Sequence, residues 1–194
     1  MKSIEKTKSI SIWIFIVPFV AVNVCLLMVT QFHSLFPNQE DIIHNTFPYF
    51  DGGASISRTA RPYPSWLIFK PAMFLTSYLL IKYWFFNRDI IEFFKSDHKH
   101  IKKIIFFGIA SAIALTIHSI FLGIKFDNDL YKLFRRVVML SFIVFEIVAQ
   151  AYLVATFWSF REKLKDYINP IVLNLKIILV SILIVVAVIT IPII

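Results

Sequence analysis

Residues 51–61 hold one acid, three hydroxyls and two cations: Asp51, Ser55, Ser57, Thr59, Arg58 and Arg61. Two guanidiniums beside hydroxyl groups can cradle a phosphate or other anionic headgroup, because each guanidinium presents a planar fork of donors to two oxygens at once. The Gly52-Gly53 pair next to them permits the positive φ of a turn. The same residues also suit a structural plug, in which Arg58 and Arg61 pair with Asp51 or with headgroups. A second set, His118, Glu146 and Gln150, lies inside apolar stretches. Glu146 and Gln150 are four residues apart and share one helical face. Ionisable groups in a bilayer are costly, and they point to proton handling or ligand binding unless they serve as interhelical hydrogen-bond clamps. The clamp is the favoured reading, with Glu146 one to two turns deeper than His118 and with Thr116 or a water as a bridge.

Several chemistries find no support. A catalytic zinc site needs three protein ligands, and a bis-histidine haem needs two histidines, but His118 is the only histidine within an apolar run. The sequence Asp97-His98-Lys99-His100 reads as a solvated linker. Asp127-Asn128-Asp129 lacks the glycine and the distal glutamate of a calcium loop, and reads as a helix N-cap. Cys25 is the only cysteine, so there is neither an intrachain disulfide nor a multi-cysteine metal site. With no phosphate loop, dinucleotide fingerprint or Ser-His-Asp order either, no cofactor is expected.

The elements that must position these residues are membrane helices. The chain is 58% hydrophobic with 21 phenylalanines, and its mean hydropathy of +0.75 lies outside the range of a soluble domain. A hydrocarbon core of ~30 Å needs ~20 apolar residues as helix, and lipid gives exposed backbone amides no partners. Residues 11–31, 67–86, 104–123, 137–158 and 171–194 each qualify, which gives an all-α bundle of five spans forming one domain over residues 1–194. The first run is too long for a signal peptide and no small-residue cleavage site closes it, so it reads as an uncleaved span with Cys25 a buried thiol.

Lysines and arginines near the span ends set orientation. A cytoplasmic N-terminus places eleven on the inner side (residues 2–8, 88–103 and 161–165) and seven on the outer side (residues 58–70 and 125–136). The four tryptophans, Trp13, Trp66, Trp84 and Trp158, fall near span ends as an interfacial belt would. Lys82 and Lys176 can snorkel, and Asn23 can bond to another helix. Residues 87–100 suit a short helix lying in the inner interface. The basic residues flank spans and form no single patch, which argues against nucleic acid as a partner.

The outer connection, residues 32–66, is the one stretch long enough for recognition. Its prolines predict extended backbone over Arg61-Pro62-Tyr63-Pro64. Ser65 would cap the next helix, which would start near Lys70 with Pro71 at its first position. The run Pro48-Tyr49-Phe50-Asp51, Ser55-Ile56-Ser57, Ala60-Arg61, Pro62, Pro64 and Ile68-Phe69 resembles the first-loop signature of the FRAG/DRAM/SFK superfamily of polytopic membrane proteins. The similarity extends over residues 46–86 and implies a lipid-linked, mostly non-enzymatic role. The expectation is therefore an integral, multi-pass protein of a cell or organelle membrane that binds, senses or organises lipid through the 32–66 loop. Asp51, Ser55, Ser57, Arg58 and Arg61 would carry that role. The alternatives are a membrane-embedded lipid-modifying enzyme using His118 and Glu146, and a small accessory or transport subunit acting as a homo-oligomer or with a membrane-protein partner.

Overall fold

The computed structural model describes residues 2–44, 46, 49–50, 54–94, 100–124 and 128–190. Asp51, Gly52-Gly53, Asp97-His98-Lys99, Asp127 and residues 191–194 lie outside the described residues. Every regular element among the described residues is helical, in agreement with the all-α class. The elements are α1 (Lys2–Gln31), α2 (Ile56–Thr59), α3 (Ser65–Phe94), α4 (Ile101–Phe121), α5 (Asp129–Ser159), α6 (Arg161–Leu164) and α7 (Pro170–Thr190). Single 3-10 turns occupy His33–Leu35 and Gln39–Asp41.

Four helices are long and apolar enough to cross a membrane: α1, α4, α5 and the Pro170–Ile189 part of α7. The expected second span lies within α3, which is not one of these four. At 30 residues α3 is ~45 Å long, ample for a crossing. Its polar content sets it apart, since Lys70, Thr76, Ser77 and Lys82 interrupt the apolar run. Packing explains how it carries them, because α3 lies between α1 and α4. Thr76 and Ser77 are buried, and their hydroxyls donate to the carbonyls of Ala72 and Met73 at 2.8 and 3.0 Å.

The helices pack in chain order, α1 on α3, α3 on α4, α4 on α5 and α5 on α7. Alternating direction brings Ile4, Ile91, Ile104, Phe157, Leu164 and Leu173 into one core cluster at the end that carries α6. Polar links reinforce that end: Lys8 Nζ donates to the Tyr167 carbonyl at 3.1 Å, and Lys176 Nζ to the Tyr83 hydroxyl at 2.8 Å. At the opposite end the connection after α1 folds back on it. Phe36, Ile42 and Ile43 pack on Val29, and the Ile43 N–H donates to the Val29 carbonyl at 3.2 Å.

Five local expectations need correction. Helix α3 begins at Ser65, and Pro71 lies inside it. The helix starts early because the first amides find carbonyls in the preceding bend, Trp66 N–H on Pro62 O at 3.2 Å and Leu67 N–H on Pro64 O at 3.0 Å. Residues 61–64 accordingly form bends and turns, not an extended segment. Ser65 is no cap: its hydroxyl is buried without a partner, while its carbonyl accepts from the Cys25 thiol at 3.4 Å. Residues 87–94 continue α3 and form no separate interfacial helix, since Asn87, Ile90 and Ile91 are buried in the bundle. Trp84 is 0% exposed and belongs to the core, in contrast to the exposed Trp13, Trp66 and Trp158. It fits there because Gly108 of α4 presents no side chain to its indole.

Candidate functional site

A cavity of about 1320 Å³ opens at the loop end of the row. Helical periodicity builds its walls. Ile14, Pro18 and Val22 recur every four residues on α1; Phe69, Met73, Thr76 and Leu80 follow the same stripe on α3. Leu115, His118 and Leu122 come from α4. From α5 come Lys132, Arg135, Arg136, Met139, Phe142 and Glu146, again at three- and four-residue steps. Asp41, Ser57 and Arg61 of the connecting loop complete the rim. Helices α1 and α5 thus form the two sides, with α3 and α4 as the back wall.

The rim is basic. Arg61 Nη2 donates to Ser57 Oγ at 2.5 Å. Burial of part of the Arg61 side chain lowers its pKa, and the positive charge of Arg135 lowers it further. Lys132 pairs with Asp129 at 2.9 Å. Among the described residues, Arg61, Arg135 and Arg136 have no carboxylate within ion-pair distance. Arg135 Nε and His118 Nδ1 are buried with no hydrogen-bond partner.

The end of α4 fixes how the loop meets this rim. Gly123 has φ +87°, and a Cβ there would lie 3.2 Å from the Arg61 carbonyl. Only glycine takes that conformation without strain, so the chain leaves α4 tightly against the backbone of Arg61. Free carbonyls at the α4 C-terminus are met from both neighbours, by Lys70 Nζ on Ile120 O at 3.3 Å and by the Tyr131 hydroxyl on Phe121 O at 2.7 Å. Asn128 caps α5 as expected, its side chain accepting from Leu130 N–H at 2.9 Å.

Deeper in the cavity the lining is apolar except for Thr76 and Glu146. Glu146 Oε1 accepts from Gln150 Nε2 at 2.8 Å, and Oε2 lies 2.7 Å from Ser111 Oγ. Ser111 Oγ is also 2.8 Å from the Gly108 carbonyl. A hydroxyl has one proton to donate, so both Ser111 contacts are satisfied together when the Glu146 carboxyl is the donor to Ser111. This is an interhelical clamp between α4 and α5. His118 does not take part. It lies seven residues from Ser111, ~10 Å along α4, and Thr116 donates to Ala112 O at 3.0 Å and so does not bridge the two.

The structure therefore brings Arg61, Ser57, His118 and Glu146 to one cavity, with Gln150 holding Glu146 from the side. Ser55 and Arg58 are not part of its lining. Ser55 Oγ instead accepts the Arg58 backbone N–H at 3.2 Å and caps α2. Asp51 lies outside the described residues. Arg135, Arg136 and Lys132 are rim residues that in the sequence stand out only as charges at a span end. Their signal was present in the pattern: Arg135, Met139, Phe142 and Glu146 stand at i, i+4, i+7 and i+11, one face of one helix.

No protein-family model, no curated protein and no solved structure matches this chain.

Proposed function

We propose that this chain is a non-enzymatic, multi-pass membrane protein that binds a membrane lipid in the cavity between α1 and α5. In this reading α3 crosses with the four apolar helices, giving five spans with the N-terminus in the cytoplasm and the cavity mouth on the outer side. The observation that carries the proposal is the cavity itself: about 1320 Å³, basic at the rim and apolar below, with membrane-length helices on either side. Its volume exceeds the ~300–1,000 Å³ of sites that hold drug-sized ligands. The packing order supports entry from the membrane, since α1 packs chiefly on α3 and α5 chiefly on α4, which leaves the cavity side between α1 and α5 without a helix that packs closely on both. The outer cations also gain a role. Four of the seven counted there line the cavity, and Lys70 bonds to the α4 terminus.

The enzyme reading is weaker because His118 and Glu146 do not pair, and Glu146 is engaged by Ser111 and Gln150. Native mass spectrometry of the gently solubilised chain, with lipid identification, tests the proposal. One lipid retained per protein after excess detergent exchange is the expected result. A protein that releases all lipid with the detergent, while remaining folded, overturns it.

A further inference from the structure

Among the described residues, the cavity mouth has cations in excess of their counter-charges. Lys132 is neutralised by Asp129, and Asp41 is the one acid among the described rim residues. Arg61, Arg135 and Arg136 stand against it. Bringing like charges together without a partner is unfavourable, to an extent that screening reduces at the exposed Arg61 and Arg136. Two of the three arginines are held by other means. Arg61 is held by the Ser57 hydroxyl and by the tight passage at Gly123, and Arg135 stacks with its guanidinium carbon 5.9 Å from the Tyr131 ring. The buried Arg135 Nε without a partner is a donor waiting for an acceptor.

The number of donors narrows what that acceptor can be. A carboxylate carries one charge on two oxygens in one plane, which matches one guanidinium fork better than three. Three guanidiniums and a hydroxyl around one mouth match a group with more oxygens, which is the match of arginine clusters to phosphate. The apolar depth selects the rest of the molecule. From Arg135 to Glu146 the cavity follows eleven residues of α5, ~16 Å, about half of a ~30 Å hydrocarbon core. Phe69, Met73, Leu80, Leu115 and Phe142 line that depth.

We propose that Arg61, Arg135 and Arg136, with Ser57, bind the phosphate of an anionic membrane phospholipid whose acyl chains fill the apolar depth of the cavity. This rests on the reading of the cavity as a lipid site and specifies the ligand class. Three probes separate the sources of the chemistry: dioleoyl phosphatidylglycerol, dioleoylglycerol with the same chains but no phosphate, and glycerol phosphate with no chains. Each is titrated against the full chain in detergent, with binding read by native mass spectrometry. The expected result is one phosphatidylglycerol per protein at an affinity at least about tenfold above that of dioleoylglycerol, with no competition from equimolar glycerol phosphate. Arg135→Gln/Arg136→Gln is expected to remove that preference, Arg61→Gln to reduce it, and Arg135→Lys, which keeps charge and loses the fork, to restore it in part. Thermal midpoints of the variants identify any that fail to fold. Equal binding of the two lipids overturns the phosphate assignment and leaves the lipid cavity standing. No binding of either lipid overturns both. Full competition by glycerol phosphate also overturns it, in favour of a soluble anion.

Discussion

Gly108 and Gly123 show how two glycines can matter for different physical reasons. At Gly108 the reason is space: a Cβ would sit 2.3, 2.5 and 2.6 Å from three atoms of the Trp84 indole. The indole is rigid and fully buried, so α3 and α4 would have to move apart. Gly108→Ala is expected to destabilise the bundle by about 1–3 kcal/mol, and thermal unfolding in detergent reads it. An unchanged midpoint would mean that the α3–α4 contact is looser than this geometry. At Gly123 the reason is backbone conformation, and its effect falls on where Arg61 stands. Legibility in the sequence divides along the same line. The types of Arg61, Ser57, His118 and Glu146 mark them out as polar groups near or within apolar runs. Nothing in their spacing says that Arg61 meets Arg135, because that proximity depends on the return of α5 beside the loop. Arg58 illustrates the converse. It looks equivalent to Arg61 in the sequence, but α2 places it off the cavity, and its backbone amide donates to the Ser55 hydroxyl and carbonyl.

Among the elements, α3 is where sequence and structure part most. Proline statistics favour a first-turn position and so predict a later start, whereas here the carbonyls of Pro62 and Pro64 take up the amides of the early turns. A tryptophan near a span end usually lies in the interface, but Trp84 is in the core because the small residue that admits it belongs to another helix. The four apolar spans were legible because a run of ~20 apolar residues is a property of the chain itself. Whether α3 crosses with them fixes the topology, and sided labelling decides it. The buried Cys25 thiol donates to the Ser65 carbonyl, a bond that a serine hydroxyl can keep, so Cys25→Ser provides a cysteine-free background. Single cysteines at Lys6, Ser34 and Lys163 then report the N-terminal end of α1 and two connections between long helices. With five spans and a cytoplasmic N-terminus, a membrane-impermeant maleimide labels Ser34→Cys in intact cells, while Lys6→Cys and Lys163→Cys react only after permeabilisation. Labelling of Lys163→Cys from outside would remove α3 from the set of spans.

At the scale of the whole molecule, the arrangement is a row of helices closed at one end and splayed at the other. The closed end owes its tightness to the Trp84–Gly108 contact, the α6 turn and the cluster around Ile91 and Leu164. The splayed end holds a volume that side chains do not fill, and a protein interior normally leaves few voids larger than a water. Such an opening is stable in a membrane when lipid occupies it, because the apolar lining then keeps its dispersion contacts. Filling the cavity from the protein side should therefore displace the lipid without harming the fold. Leu140 lines the cavity from α5 one turn from Arg136, carries no charge and is only half-buried, so a larger ring there projects into available space. Leu140→Trp is expected to lower the amount of lipid copurifying per protein by at least about half, while the unfolding midpoint in lipid-free detergent stays level or rises. Gly108→Ala provides the contrast, since it strains the closed end and should lower the midpoint without emptying the cavity. Lipid retention that is unchanged in Leu140→Trp would place the bound lipid on the outer faces of the helices. The cavity would then be a packing gap.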